Sequence, residues 1–502
     1  MDTFTVLSAS ILFFIVLVKI LKKFEAKNST MKLPPGPKKL PIIGNMHQLL
    51  GSQIHHKLRD LAMKYGPLMH LQLGEISTII VSSPDIAKEI MQTHDVIFAQ
   101  RPYLLAPSVI SYNCNIGFSP CGTYWRQLRK ICATELLTSK RVQSFRSIRE
   151  EEVYNLISSF SINKGSIINL SARIFSMTYA ITARAAFGKE NKYQEDFIKC
   201  VEDVVKVYAG FSISDVYPSI KLLETISGMR AKVEKVHKRI DAILEHIINE
   251  HTEKNPTPKQ IKKEENEDAV DVLLKIQKDG DLEVPLTRDN IKAVLMDIFA
   301  AGSDTSATAA EWVMAELLKN PLVMERAQIE IREAFQDKGN VEESGICKLK
   351  YFQSVIKETM RLHPPVPLLL PRESREPCEI NGYKIPAKTR VIVNAWAIGR
   401  DPKQWSEPEK FHPERFLDST VDYMGHDFRF LPFGAGRRIC PGILFGLADI
   451  ELPLAQLLYH FDWKLPGEEE LDMTEKFALT VRPKNHLQLI PVPYDPYLSN
   501  MH

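Results

Sequence analysis

One cysteine of this 502-residue chain lies in a loop whose composition suits metal ligation. Gly434 and Gly436 precede Cys440, and Pro441 and Gly442 follow it. Glycines let the main chain approach closely and adopt dihedral angles that other residues avoid, so backbone N–H groups can point at a thiolate sulfur. We therefore expect Cys440 to present a thiolate to a metal.

Arg438 indicates the kind of metal centre. Its guanidinium has a rigid fork of donors that suits a carboxylate, and a haem carries two propionates. A cysteine thiolate on haem iron favours cleavage of the O–O bond. A glycine-rich turn around a buried cysteine is the alternative interpretation. The spacing of Phe433, Gly436, Arg438, Cys440 and Gly442, however, resembles the haem-binding signature of the cytochrome P-450 family.

This resemblance implies haem b with Cys440 as the axial ligand of its iron, and it implies partners for the propionates. Trp125 and Arg129 are four residues apart on a predicted helix and can present an indole and a guanidinium together. Arg372 resembles another propionate partner of the family by its position. Without the resemblance, each arginine would be interpreted as a solvated side chain. The implied haem-binding residues are Trp125, Arg129, Arg372, Phe433, Arg438, Cys440 and Gly442.

A carboxylate and a hydroxyl lie side by side in the middle of a long predicted helix. Thr287 can cap this helix, which we expect to run to about residue 319, roughly 48 Å at about 1.5 Å per residue. Gly302 predicts a local distortion, and Thr305 can bond back to the carbonyl of Ala301. Cleavage of dioxygen requires protons, which Asp304 and Thr305 could relay. The segment resembles the family's oxygen-binding helix and implies that both residues are catalytic.

Three charged residues resemble a structural ion-pair triad of the same family. Glu358 and Arg361 are three residues apart and share a helix face, which by itself is common on protein surfaces. The downstream segment 413–416 supplies Arg415 as the third member. The implied role is to hold the core on the haem side, and such a network fails when one partner is removed.

The resemblance also implies where the substrate lies. The implied segments are mostly apolar, which favours a hydrophobic substrate that is held by shape. Several of these residues could instead pack in the core. The predicted pocket residues are Leu104, Val109, Ile110, Phe211, Phe299, Ala300, Ala301, Val366, Leu368, Leu369 and Leu479.

The elements that must position these residues are mostly helical. Apolar residues recur with helical period over 141–160, 229–253 and 321–337. Residues 69–73 and 76–82 predict a β-hairpin, and Asn381-Gly382 predicts another between 378–380 and 390–394. The fold class is therefore mainly α with a smaller β portion. The cytochrome P-450 fold, as one large domain over residues 40–502 after an N-terminal anchor, is what the resemblance implies.

Composition excludes some classes of function. The chain is 44% hydrophobic, and its formal net charge of +2 argues against a nucleic-acid partner. Its seven cysteines form no CxxC pair, which excludes a zinc ribbon and fits a reducing compartment.

The N-terminus predicts a membrane anchor over residues 4–21, with a basic and proline-rich hinge over 22–39. A cleaved signal peptide is the alternative, but it requires positive charge before the apolar run, whereas the lysines here follow it. Positive charge after the span places the catalytic domain in the cytosol. We expect a single-pass protein of the endoplasmic reticulum membrane, in contact with membrane lipid.

The expected activity is that of a haem-thiolate monooxygenase. It would use O2 and NADPH electrons supplied indirectly by NADPH-cytochrome P-450 reductase, for which basic residues near Arg126, Lys130, Arg429 and Arg437 predict a docking patch. Segments 394–402, 454–466 and 471–475 resemble the plant clan that hydroxylates terpenoids and some alkaloids. A terpenoid is the leading substrate class. The alternatives are an alkaloid or phenolic hydroxylase, an oxygen-independent haem-thiolate isomerase or dehydratase, and a non-catalytic haem-binding protein.

Overall fold

The computed structural model describes residues 32–51, 53–162, 165–188, 194–208, 212–254, 267–467 and 470–494. The predicted anchor 4–21, the hinge up to residue 31 and Phe211 lie outside the described residues. Within these ranges, no helix combines the length and the apolar character needed to cross a bilayer. The described part of the hinge, 32–39, has neither helix nor strand, as expected where prolines prevent helix formation.

Helices dominate the described residues, which confirms the predicted fold class. The break at Phe145 divides the predicted helix 141–160 into two helices, Ser139–Ser144 and Arg146–Ile162. The longer helices are α1 Ile54–Tyr65, α2 Thr123–Ile131, α3 Arg146–Ile162, α4 Leu170–Phe187, α5 Gln194–Tyr208, α6 Met229–Lys254, α7 Ala269–Asp279, α8 Arg288–Lys319, α9 Pro321–Phe335, α10 Lys350–Leu362 and α11 Ile443–His460. Shorter helical segments are Met46–Leu49, Pro84–Lys88, Glu89–Thr93, Asp95–Phe98, Leu105–Ile110, Cys132–Leu136, Ser139–Ser144, Ile213–Val216, Leu222–Ile226, Glu343–Ile346, Ala395–Ile398, Pro413–Phe416 and Gly436–Arg438.

The β portion consists of small sheets. The strands are β1 Leu68–Leu73, β2 Ile76–Val81, β3 Ile168–Asn169, β4 Arg372–Glu373, β5 Cys378–Ile380, β6 Tyr383–Ile385, β7 Arg390–Val393, β8 Phe461–Lys464, β9 Glu475–Phe477, β10 Val481–Pro483 and β11 Gln488–Pro493. The largest described sheet has the strand order β1-β2-β7-β4, in which β1 and β2 form the predicted antiparallel hairpin and β2 pairs with β7 in parallel.

The second predicted hairpin has a different partner strand. Asn381 and Gly382 have φ of 48° and 74°, so both central residues of the turn are left-handed. A two-residue turn of this kind pairs the residues that follow it immediately. β5 therefore pairs with β6. The run 390–394, expected as the partner, instead supplies β7 beside β2 and β4.

Helix α8 runs through the centre of the protein. Thr287 caps it as predicted. Its side-chain oxygen accepts from Asn290 N, and the side-chain oxygen of Asn290 accepts from Thr287 N. Residues 291–299 pack in one apolar core with α4 to α7, and residues 307–318 pack in another with α3, α4 and α9 to α11. Residues 300–306, which include the predicted catalytic pair, lie between these cores.

Candidate active site

The Cys440 loop has the backbone that its glycines predict. Gly434 and Gly436 have φ of +70° and +69°. A Cβ atom on Gly436 would lie 2.1 Å from the carbonyl oxygen of Met91, so only glycine fits there. The N–H of Cys440 donates to the carbonyl of Phe433 at 3.0 Å and closes the loop.

The surroundings of the Cys440 thiol suit a metal ligand. Burial raises the pKa of this thiol, while the backbone N–H of Gly442 and the positive charge of Arg129 lower it. A buried thiolate is stable only beside compensating positive charge, and a coordinated metal ion supplies that charge directly. The loop therefore fits a thiolate that binds iron.

The Arg438 guanidinium of this loop lies against the Trp125 ring. The guanidinium carbon of Arg438 is 3.9 Å from the centre of the Trp125 ring. Burial lowers the pKa of Arg438 to about 9, and its donors reach the carbonyls of Ala99, Ile116 and Ser119 at 2.8, 3.2 and 2.6 Å. The Trp125 indole also donates to the Ile116 carbonyl, at 3.1 Å.

Arg101 is a further member of the site that sequence reasoning missed. It is buried and donates to the carbonyls of Gly117, Leu370 and Pro371 at 2.8, 2.8 and 2.7 Å. Burial and the charges of Arg438 and Arg372 lower its pKa well below the usual value. No periodicity or local partner in the sequence distinguishes Arg101 from a solvated arginine.

The arginines of this site form a group of positive charges, in which Arg101, Arg372 and Arg438 are buried and Arg129 is half-buried. Among the described residues, Asp95 is the carboxylate that contacts the group, 3.4 Å from Arg372 Nη1. Buried cations without matching anions are costly. The two propionates of a haem would supply the negative charge that this group requires, so these residues fit the implied cofactor.

Asp297 on α8 holds the loop that these arginines contact. Its carboxylate accepts from Asn115 Nδ2, Ile116 N and Gly117 N at 2.8, 2.7 and 3.0 Å. Burial raises its pKa to about 6. Both oxygens of this carboxylate are therefore occupied by the loop.

Asp304 and Thr305 lie in the middle of α8, directly after the small residues 300–303. Thr305 Oγ1 donates to the Ala301 carbonyl at 2.6 Å, as the sequence predicted. Asp304 is buried and its Oδ2 accepts from Thr480 Oγ1 at 2.6 Å, while burial raises its pKa. α8 continues through this segment without a break, so the expected distortion does not interrupt the helix.

The start of α11 brings the Cys440 loop to this part of α8. A Cβ atom on Gly302 would lie 3.5 Å from Phe445 and 3.3 Å from Thr182 of α4. A Cβ atom on Gly446 would lie 3.6 Å from Ser306 Oγ. These contacts pack the start of α11, which directly follows the Cys440 loop, against the part of α8 that contains Asp304 and Thr305.

An apolar cavity of about 110 Å³ lies in the region predicted for substrate. The predicted residues that line it are Leu104, Val366, Leu368, Leu369 and Leu479. The other lining residues are Pro107, Phe118, Tyr208, Asp215, Pro367, Leu370, Pro371, Arg390, Ile392, Phe477 and Ala478. The two charged side chains among them, Asp215 and Arg390, are buried. This cavity suits a ligand that is mostly apolar.

The remaining predicted pocket residues lie in or beside the neighbouring core. Phe299 is fully buried among aromatic rings, with ring centres 4.6 Å from Phe197, 5.5 Å from Tyr179 and 5.6 Å from Phe187. Ile110 is buried in the same core, against which Val109 and Ala300 also pack. Ala301 is exposed on α8.

The predicted triad forms a buried network. Arg361 donates to both oxygens of Glu358 at 2.7 and 2.8 Å, and Arg415 Nε donates to Glu358 Oε1 at 2.9 Å. Arg361 also donates to the carbonyls of Gly399 and Pro408 at 2.6 and 2.7 Å. Its contacts tie α10 to the segment that precedes the Cys440 loop.

Three of the residues expected to form a docking patch are exposed, and the fourth is half-buried. Arg126 and Lys130 are exposed on α2. Arg437 is exposed and lies 3.6 Å from Asp95, and the half-buried Arg429 pairs with Asp427.

Comparison with known proteins gives consistent matches. The family model described as Cytochrome P450 matches residues 34–490. Cytochrome P450 71D10 of Glycine max is 56% identical over 96% of each chain, and tabersonine 16-hydroxylase 2 of Catharanthus roseus is 55% identical over 97% of this chain and 96% of that protein. Premnaspirodiene oxygenase of Hyoscyamus muticus is 51% identical over 97% and 98%. A solved zebra fish cytochrome P450 structure with progesterone has a TM-score of 0.76 and 25% identity, covering 88% of this chain and 100% of that chain.

Proposed function

Because the chain belongs to the cytochrome P450 family and is a haem-thiolate monooxygenase, we propose that it hydroxylates or otherwise oxidises a small lipophilic plant metabolite, with a terpenoid as the first candidate. For a hydroxylation, the substrate, O2, NADPH and one proton give the alcohol, water and NADP⁺. The electrons come from a reductase. The observation that carries the proposal is the group of arginines whose charges act on one another and, through Arg129, on the thiol of Cys440.

The proposed role of Cys440 is to ligate the haem iron. The haem, when bound, supplies oxygen activation, which a thiolate ligand favours. The backbone N–H of Gly442 and the charge of Arg129 stabilise the thiolate form of Cys440, since both lower the pKa of a thiol that burial raises. Trp125, Arg129, Arg372 and Arg438 are proposed to hold the propionates.

Asp304 and Thr305 are the proposed proton donors. The Thr305 hydroxyl donates to the Ala301 carbonyl, so its oxygen remains free to accept a hydrogen bond from a neighbouring donor. Burial raises the pKa of Asp304, which favours the protonated carboxyl that a proton donor requires. Consecutive residues of a helix face different directions, so a relay between these two side chains requires a bridging water.

The substrate class rests on the cavity and on the relatives. An apolar lining favours a lipophilic substrate, which a terpenoid and many alkaloids satisfy. A relative named for premnaspirodiene supports a terpenoid, and relatives named for tabersonine support an alkaloid as the second candidate. Hydrophobic pockets discriminate weakly, about 1–3 kcal/mol for one methylene, so a panel of substrates is required.

The test is co-expression with a plant NADPH-cytochrome P450 reductase and feeding of mono-, sesqui- and diterpenes and indole alkaloids. Products would be identified by mass spectrometry against a Cys440→Ser control. An oxygenated terpenoid that depends on Cys440 supports the first candidate, and an oxygenated alkaloid selects the second. Product formation from a peroxide substrate without NADPH would instead indicate an isomerase or dehydratase. NADPH consumption that never exceeds the Cys440→Ser level would indicate a haem-binding protein without turnover.

We also propose that residues 4–21 anchor the chain in the endoplasmic reticulum membrane, that 22–39 form a hinge and that 40–502 form the cytosolic catalytic domain. The uncharged run 4–18 and the lysines after it support this topology. In plant microsomes, alkaline carbonate should leave the full-length chain in the pellet. The sequon at Asn169 should remain unglycosylated, and a glycosylated Asn169 would contradict the cytosolic orientation.

A further inference from the structure

The carboxyl of Asp304 is held by a residue far away in sequence. Thr480 Oγ1 donates to Asp304 Oδ2 at 2.6 Å across 176 positions of the chain. Asp304 is 6% exposed and Thr480 is 4% exposed, so water has little access to this bond. A buried hydrogen bond to a carboxylate is stronger than one in solvent, and losing it leaves an oxygen without a partner.

Thr480 lies at the junction between the cavity and α8. It ends the turn between β9 and β10, directly after Phe477, Ala478 and Leu479, which line the cavity. The next residue, Val481, donates to the Pro365 carbonyl at 2.9 Å and accepts from Trp312 Nε1 of α8 at 2.9 Å. The turn is therefore fixed to α8 on one side of Thr480 and contacts the cavity on the other.

Other charged and titratable groups surround the Asp304 carboxyl. Burial raises the pKa of Asp304, the Thr480 hydroxyl and the charge of Arg482 on β10 lower it, and Glu202 on α5 raises it. Its own charge raises the pKa values of Tyr179 on α4 and Glu311 on α8. Thr480 is the neutral hydrogen-bond donor in this set, so its removal changes no charge.

We propose that Thr480 is a positioning residue for Asp304, and that it links the carboxyl of the proposed relay to the turn that contacts a lipophilic substrate. This inference rests on the proposed role of Asp304. Displacement of the turn by a ligand against Phe477 to Leu479 changes the bond that holds the carboxyl. Proton supply to Thr305 is then sensitive to the occupancy of the cavity.

The test uses the full-length holoenzyme without added substrate. Thr480→Val removes the hydroxyl at nearly constant volume, and Thr480→Ser keeps it. Ser303→Ala is the matched control, since Ser303 is buried beside Asp304 and its hydroxyl donates to the Phe299 carbonyl at 2.8 Å. The carboxyl band of Asp304, identified by its loss in Asp304→Asn, would be titrated with pH by infrared difference spectroscopy.

Removal of a donor to the carboxylate favours the protonated form, so the titration midpoint of Asp304 should rise. We expect Thr480→Val to move it upward by about one pH unit, the effect of one hydrogen bond to a charged group, and Thr480→Ser and Ser303→Ala to leave it unchanged. An unchanged midpoint in Thr480→Val would overturn the proposal. Thr480→Ala gives the same comparison if the valine variant does not fold.

A second measurement separates this inference from the proposed relay. With reductase and NADPH, the peroxide released per NADPH would be measured in the same variants and in Asp304→Asn. If Asp304→Asn leaves peroxide release unchanged, the relay itself is wrong. If Asp304→Asn raises it and Thr480→Val does not, the relay stands and the positioning role of Thr480 is wrong. A parallel rise in both, reversed in Thr480→Ser, supports the link.

Discussion

Glu358 is the anion of a buried network, so the loss of its charge should strongly destabilise the fold. Its side chain and that of Arg361 are both 0% exposed. Besides its bonds to Arg361 and Arg415, it accepts from the N–H of His412 at 2.8 Å. In Glu358→Gln, an amide NH2 replaces one carboxylate oxygen and meets a guanidinium donor. Both arginines also lose their counter-charge.

The expected magnitude follows from burial. Removal of one partner from a buried ion pair costs about 3–5 kcal/mol, because the remaining charge is left uncompensated. The chain offers a matched control in Glu150, which lies 2.7 Å from Arg146, the same distance as the shortest bond of the buried pair. Glu150 and Arg146 are 45% and 41% exposed. Exposed pairs contribute about 0–1 kcal/mol, so Glu150→Gln should have little effect.

The assay is urea unfolding of the purified holoenzymes, followed by far-ultraviolet circular dichroism. The ferrous–CO spectrum would establish that each variant starts with its thiolate ligand. We expect Glu358→Gln to lower the free energy of unfolding by about 3–5 kcal/mol and Glu150→Gln by less than about 1 kcal/mol. A loss in Glu358→Gln no larger than that of the control would refute the argument that burial makes this network essential.

Three further predictions concern the site and its surroundings. Gly436→Ala should prevent haem incorporation, because the alanine Cβ would lie 2.1 Å from the Met91 carbonyl oxygen. The haem absorbance per protein measures this, and normal incorporation would contradict the loop geometry. Thr305→Ala should raise the ratio of peroxide to product formed from NADPH about 10²-fold, the lower end of general acid contributions. Thr308→Ala on the same helix should leave this ratio unchanged. Equal peroxide yields from the two variants would count against the relay. Burial raises the pKa of Glu311 from its unfolded value of about 4.5 to about 7. The contribution of Glu311 to stability is therefore full at low pH and is lost as pH rises from about 4.5 to about 7. Glu311→Gln should flatten the dependence of the unfolding free energy on pH in this window, and an unchanged slope would show that Glu311 is not the group responsible.

Local patterns in the sequence were sufficient for much of the fold and the site. The N-terminal cap of α8, the hairpin of β1 and β2 and the back-bond of Thr305 depend on residues within a few positions of one another. The Cys440 loop was predictable for the same reason, because Gly434 and Gly436 within the loop adopt the positive φ angles that it requires. Motifs of this kind encode their structure locally.

Contacts between distant segments could not be predicted from residue patterns. Arg101 and Thr480 join the site through partners about 270 and 176 positions away. Nothing in the sequence near either residue indicates these partners. Phe299 was assigned to the pocket by its place on α8, but neighbouring residues of a helix face different directions, and Phe299 packs into the aromatic core.

The most direct test of the central claim is the source of the oxygen atom in the product. The holoenzyme, reductase and NADPH would be supplied with isotopically labelled dioxygen in unlabelled water and with the substrate found in the feeding panel. A haem-thiolate monooxygenase predicts one labelled oxygen atom per product molecule, and no product with Cys440→Ser. Product whose oxygen comes from water, or product formed equally by Cys440→Ser, would contradict it.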